Sequence, residues 1–202
     1  MAVAAREPRI GRVHRQTRET DVALTVVLDG HGHAKVATGV GFLDHMLDSL
    51  ARHGLFDLEV ESKGDLHVDD HHTVEDVAIA LGQALREAIG EGRGIRRMGH
   101  AIVPMDEALA LVAVDVSGRG VADVEVPLDG PTVGGLKVQM VPHFFRSLAL
   151  EAKMSLHVQT LKGANDHHKV EACFKALAKA LDWATQIDDR AADEVPSTKG
   201  VL

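Results

Sequence analysis

The chain is poor in several residue types that would commit it to common roles. It has one cysteine, Cys173, so no disulfide can close within it; that suits a reducing compartment and a cytoplasmic protein. Aromatic residues are 3% of the chain and the net charge is −8. Binding nucleic acid needs a basic footprint and, for single strands, aromatic stacking platforms, so nucleic acid is excluded as the main partner. No run reaches the roughly eighteen apolar residues that a membrane span requires. The stretch Met1 to Glu7 carries arginine but no apolar core, unlike a secretory signal. What remains is a globular composition, 45% hydrophobic and 26% charged over 202 residues, enough to bury a core without disulfides.

Histidine is what the chain has in excess: 13 of them, many beside aspartate or glutamate. The pattern around them repeats. From Ile10 to Thr38 the chain reads as strands, with Val22, Leu24, Val26 and Leu28 alternating and Asp29-Gly30-His31-Gly32 as a turn. Helical spacing follows over Val40 to His53, with Gly54 as a stop, then a strand to Lys63-Gly64 and a helix from about His71 to Ile89. The second half predicts strands at Gly99 to Pro104, Ala108 to Val116 and Val121 to Val126. A loop punctuated by Gly134-Gly135 follows, then a helix Val141 to Ala152, a strand Leu156 to Thr160 and a helix Asp166 to Thr185. The expectation is an α+β fold of two βββαβα halves, residues 9–93 and 94–187, each packing its helices on one sheet face. Residues 188–202 have the composition of a frayed tail.

Asp70-His71-His72-Thr73-Val74-Glu75-Asp76 matches Asp166-His167-His168-Lys169-Val170-Glu171-Ala172, and one helix upstream of each stands a further histidine, His45 and His143. On a helix, residues three and four apart share a face, so each glutamate falls near both histidines of its pair. Neighbouring histidines point about 100° apart, which predicts that they serve different metals. The set is His45, His71, His72, Glu75, His143, His167, His168 and Glu171: six imidazoles and two carboxylates that divide into two sites of three histidines and one glutamate. Such ligands suit manganese, iron or zinc, and the absence of cysteine ligands argues against a closed structural zinc site. One such pair alone would be a helix cap or a surface feature; two copies with the same spacing are hard to obtain by accident. His14, His31, His33, His53, His67, His100 and His157 have no repeated partner and read as solvated or hydrogen-bonded rings, His53 also closing the first metal helix.

The duplicated motif, Gly41-Phe42-Leu43-Asp44-His45-Met46-Leu47 and the C-terminal Ser197-Thr198-Lys199-Gly200 together resemble the imidazoleglycerol-phosphate dehydratase family of histidine biosynthesis, in its monofunctional form. The resemblance runs from about Arg9 to the C-terminus. It implies helices sandwiched between two four-stranded sheets, and a homo-24-mer whose active sites lie between subunits and bind two manganese ions each. It also implies a small phosphorylated imidazole substrate, whose phosphate Arg97, Arg119, Lys175, Ser197 and Lys199 would bind. A dianion favours several cationic donors, and arginine offers a planar fork of them. On composition alone the arginines are surface charge and the serine and lysine are tail. The second motif ends in Ala172 where the first has Asp76.

The implied reaction removes water although the proton to be taken is poorly acidic, so it needs an electron sink. The substrate's imidazole, bound through its ring nitrogens, supplies one. Glu19, which the family places at the site, is the candidate base and a substrate contact; alone it would be a solvated carboxylate. Asp106 is a candidate for orienting the substrate's hydroxyls, and His71 and His167 complete the catalytic set through the metals they hold. Two rival readings fit the sequence less well. A two-metal phosphohydrolase or amidohydrolase generally carries more bridging carboxylates. A non-catalytic metal-storage cage of the ferritin type is built of long bundle helices without intervening strands.

Overall fold

The alternation of Val22, Leu24 and Val26 makes a strand whose inner face is buried, and the same pattern in Leu58 and Val60 makes its neighbour. The computed structural model describes residues 7–191 and 194–202; Met1 to Arg6, part of the stretch compared above with a signal peptide, and residues 192 and 193 of the tail lie outside the described residues. The first half runs β1 (Ile10–Gln16), β2 (Thr20–Val27), β3 (Ala34–Ala37), α1 (Gly41–Gly54), β4 (Asp57–Gly64) and α2 (His71–Ile89). The second runs β5 (Met98–Met105), β6 (Ala108–Asp115), β7 (Val121–Glu125), the short β8 (Thr132–Val133) and β9 (Leu136–Lys137), then α3 (Met140–Ala152), β10 (Ser155–Lys162) and α4 (Asp166–Thr185).

Two four-stranded sheets result, in the orders β1-β2-β4-β3 and β5-β6-β10-β7. In each, the third strand of the half pairs parallel to the fourth, β3 with β4 and β7 with β10, and α1 or α3 makes the crossover. α2 packs on β1 and β2, α4 on β5 and β6, and the helices meet one another as α2 on α3 and α1 on α4. The helices are thus sandwiched between the sheets, and one hydrophobic core runs through Leu43, Met46, Leu81, Phe144, Phe145 and Leu177. Burying a side chain of this size contributes about 1.5–3 kcal/mol. Helix contacts cross between halves, and this arranges the histidine and glutamate clusters described below.

Two stretches differ from the reading of the sequence. The segment around Gly134-Gly135 is a β8–β9 hairpin rather than a plain loop, with Thr132 opposite Lys137. Both glycines have positive φ, 53° and 87°, as a two-residue hairpin turn with the native twist requires. The tail, polar as it is, folds back on the body. Gly94 N donates to Glu194 O at 2.8 Å, and Asp188 N to Gly94 O at 2.8 Å. Leu202 packs against the core, so close to Gly118 that a Cβ there would stand 2.3 Å from its carbonyl carbon.

Candidate metal centres

Each motif begins with an aspartate, and both aspartates bind the single segment that lacks a copy in the first half. Asp166 Oδ2 accepts from Asp129 N and Gly130 N, both at 2.9 Å, while Asp70 Oδ2 accepts from Lys137 N at 2.8 Å. One loop therefore latches the first turns of both motif helices. Asp69, one residue before the N-cap Asp70, accepts from His71 N at 2.8 Å, and Asn165, the N-cap of α4, accepts from His167 N at 2.9 Å through its side chain.

The histidine and glutamate side chains gather in two clusters. His45, His167 and Glu171 form one; His71, Glu75 and His143 form the other, and in each every donor atom lies within 4.8 Å of the others. The upstream histidine of each cluster comes from the opposite half: His45 on α1 joins the α4 motif, and His143 on α3 joins the α2 motif. His143 Nε2 is 3.0 Å from Glu75 Oε1 and His167 Nε2 is 3.1 Å from Glu171 Oε2. His45 Nε2 approaches the same Glu171 oxygen at 3.4 Å. Two donors each about 2.1 Å from one ion and at right angles stand about 3 Å apart, so these separations fit a divalent cation of borderline hardness.

His72 and His168 turn away. Within one chain each cluster holds two histidines and a glutamate, and Glu75 meets His71 but not His72. His72 Nδ1 lies 3.0 Å from Asp65 Oδ2, and its Nε2 lies 4.0 Å from Glu19 Oε1. His168 Nδ1 lies 2.7 Å from Glu107 Oε2, and its Nε2 3.6 Å from Asp106 Oδ2. The hydrogen bond that Asp65 accepts raises the His72 pKa above that of an ordinary imidazole, and Glu107 does the same for His168. The Glu107 carboxyl is in turn pulled down to about 2, first by His168 and then by the Asn165 amide. Asp65 stands seven residues before His72 in the sequence, but Glu107 is 61 residues from His168, so only the fold reveals the second partner.

The two clusters differ in charge. Glu171 is 9% exposed and Lys175 Nζ lies 2.7 Å from its Oε1. Burial pushes the Glu171 pKa up, but Lys175, then His45 and His167, outweigh it, and the net shift is downward. Glu75 is 36% exposed, and Ile79 stands where Lys175 would be repeated. The Asp76 to Ala172 departure also has a reason. Asp76 is buried, accepting from Arg15 Nε at 2.8 Å and from Thr20 Oγ1, and so ties α2 to the β1–β2 turn that carries Glu19. In the second half the β5–β6 turn is tied instead by Glu107, whose Oε1 accepts from Ala164 N at 3.1 Å and Asn165 N at 2.8 Å.

The remaining candidates lie at the opposite end. Arg97 is paired with Asp115 at 2.7 Å, and its Nη1 donates to Pro196 O at 2.8 Å, next to Ser197. Lys199 N donates to Ser197 Oγ at 3.2 Å, and Arg119 Nη1 donates to Ser117 O at 3.2 Å, beside Gly118 and the docked Leu202. Arg97 N also bonds Ala184 O at 2.8 Å. The helix from Glu171 to Ala184 spans about 20 Å at about 1.5 Å per residue. Of the five predicted phosphate ligands, Arg97, Arg119, Ser197 and Lys199 therefore share the tail end of the chain, and Lys175 stands with the α4 cluster.

A family profile described as imidazoleglycerol-phosphate dehydratase matches residues 38–181. A protein of that name from Roseiflexus sp. (strain RS-1) is 56% identical over 194 residues, covering 96% of this chain and 98% of its own. A crystal structure of an imidazoleglycerol-phosphate dehydratase from Staphylococcus aureus subsp. aureus N315 superposes with a TM-score of 0.80 at 35% identity, over 89% of this chain and 99% of its own. One from Pyrococcus furiosus, in complex with (S)-C348, gives 0.81 at 38% identity, over 94% and 100%.

Proposed function

The chain belongs to the imidazoleglycerol-phosphate dehydratase family and is a dehydratase of histidine biosynthesis; we propose that it works at active sites built from more than one copy, each holding two manganese ions. The observation that carries this reading is the separation within a single chain. The α4 cluster and the Arg97–tail region are about 20 Å apart along α4, farther than any side chain reaches, so one small substrate cannot touch both in one copy. His72 and His168 turn away from the clusters of their own chain in the same way, each suited to adding a third imidazole to a cluster of a neighbour. The family assembly of twenty-four chains supplies such neighbours.

In this reading His45, His167 and Glu171 hold one ion, His71, Glu75 and His143 the other, and His72 and His168 complete them across the interface. When bound, the ions act as Lewis acids toward the substrate's ring nitrogens. Glu19 receives the proton of the carbon chain: it sits on the β1–β2 turn beside His72, held by the Asp76–Thr20 contact. Asp106, beside His168, orients the hydroxyl groups. Arg97, Arg119, Ser197 and Lys199 bind the phosphate from another copy. Lys175 reaches the phosphate from the cluster side. A single buried thiol, Cys173, and no described helix long and apolar enough to cross a membrane support a cytoplasmic setting.

The test is complementation. Glu171→Ala chains keep Arg97 but lack a cluster, and Arg97→Ala chains keep both clusters. Each is expected to be inactive toward imidazoleglycerol phosphate alone, and co-refolded mixtures with manganese are expected to regain a fraction of wild-type activity. A mixed assembly that stays inactive would mean the site lies within one chain.

A further inference from the structure

His72 and His168 carry the same chemistry through different residues. A carboxylate can only accept a hydrogen bond, so each ring facing one at 3.0 and 2.7 Å must carry its proton on Nδ1. The lone pair of the neutral ring is then on Nε2. No described group is within hydrogen-bond distance of either Nε2, the nearest carboxylates standing 4.0 and 3.6 Å away. In the first half the carboxylate is Asp65, just after the Lys63-Gly64 strand end. The second half has Ala164 after Lys162-Gly163, and Glu107 reaches across from the β5–β6 turn in its place. The duplication has kept the Nδ1 hydrogen bond while changing the residue that accepts it.

We propose that Asp65 and Glu107 are positioning residues that lock His72 and His168 in the Nδ1–H tautomer, leaving each Nε2 free to bind a divalent metal held by a neighbouring copy. This rests on the reading of the two histidines as metal ligands. A carboxylate behind a ligating imidazole fixes its orientation and raises its basicity, and losing it costs about ten- to a hundredfold in metal affinity.

The two carboxylates are expected to respond differently to amide replacement. Glu107 Oε1 accepts from two backbone N–H groups, so in Glu107→Gln the amide oxygen must stay there and the NH2 must face His168 Nδ1. That turns Nδ1 into an acceptor, places the proton on Nε2 and removes the ligand. Both Asp65 oxygens face His72, at 3.0 and 3.2 Å, so in Asp65→Asn the amide can turn its carbonyl to the ring.

The experiment is manganese titration of the assembled protein followed by the EPR signal of free Mn2+. We expect Glu107→Gln to weaken binding at one of two sites about ten- to a hundredfold, Asp65→Ala to do the same at the other, and Asp65→Asn to stay within about threefold of wild type. Asp65→Ala should add little to the loss already caused by His72→Ala, whereas a merely structural role would add in full. Wild-type affinity in Glu107→Gln and Asp65→Ala, or full additivity with His72→Ala, would overturn the proposal. If His72→Ala and His168→Ala themselves bind metal normally, the ligand reading fails instead. Should Glu107→Gln melt early, the contrast between Asp65→Ala and Asp65→Asn decides alone.

Discussion

The cluster on α4 and the cluster on α2 descend from one pattern and are not equivalent. Both take a histidine from the opposite half and a histidine and glutamate four residues apart from their own helix. Only the α4 cluster has an ammonium on its carboxylate, with Lys175 2.7 Å from Glu171. Glu75, half-buried and without such a lysine, leaves the α2 cluster more negative by one charge. A duplication can therefore preserve ligand geometry while adjusting the field around it, and two ions in nearly identical donor sets need not be held equally.

The sharpest way to break the comparison is to treat the protein with a chelator. Activity should vanish on chelation and return with manganese, and the first ion withdrawn should be that of the α4 cluster, which the lysine repels. Full activity in metal-free protein, measured with imidazoleglycerol phosphate, would end the metal-dependent reading. Acid acts by the same route. The neutral imidazole is the ligand, and His72 and His168 are more basic than a free imidazole at about 6.5 because Asp65 and Glu107 favour their protonated forms. Metal content should thus fall as pH drops through that raised range, and activity should be lost below about pH 6. A flat profile to pH 5 with metal retained would count against these histidines.

The opposite pole gives the next largest effect. Deleting the last six residues removes Ser197 and Lys199 and frees the groove at Gly118. Charge-assisted hydrogen bonds to phosphate are worth about 1.5–3 kcal/mol each. The expected fall in kcat/KM is therefore roughly ten- to a thousandfold, with metal content at the α4 cluster unchanged because that cluster lies about 20 Å away along the helix. Normal kcat/KM in the truncated enzyme would show the tail to be packing only. A smaller, stoichiometric effect separates the clusters: His72→Ala and His168→Ala should each lower bound metal by about one ion per chain and weaken assembly, read by metal analysis alongside light scattering. Loss of both ions from either change would indicate one shared cluster.

The pairing of His71 with Glu75, and of His167 with Glu171, was legible in the sequence because helical spacing is local: residues four apart fall on one face wherever the helix goes. Which upstream histidine joins which pair was not, since it depends on α1 packing on α4 and α2 on α3. The turn of His72 away from its own cluster was foreseen only as a divergence of about 100°; its partner Asp65 sits in the loop between β4 and α2. Strands and helices were legible from period alone, but Gly134-Gly135 was passed over as a hairpin because its strands are only two residues long. The tail was misjudged by composition because backbone bonds, Gly94 to Glu194 and Asp188 to Gly94, hold it in place, and these leave no mark in side-chain hydropathy.

Lys175 allows the finest test of the asymmetry. Its side chain is 18% exposed and rests on a carboxylate that is more buried still, so solvent screens the pair only in part. Lys175→Met keeps most of the aliphatic stem while removing the charge. In the metal-free protein the change leaves Glu171 buried with only His45 and His167 as partners, and the melting temperature should fall. With manganese the sign reverses, because a cation now enters a site with one positive charge fewer. Affinity at the α4 cluster should rise by an amount on the order of tenfold, about 1.4 kcal/mol, and the gain in melting temperature on adding manganese should exceed that of the wild type. The α2 cluster should be unmoved, so a two-site titration would show its steps drawing together. Weaker manganese binding in Lys175→Met would mean that the lysine organises Glu171 for the metal rather than competing with it, and the difference between the two clusters would then be one of support and not of charge.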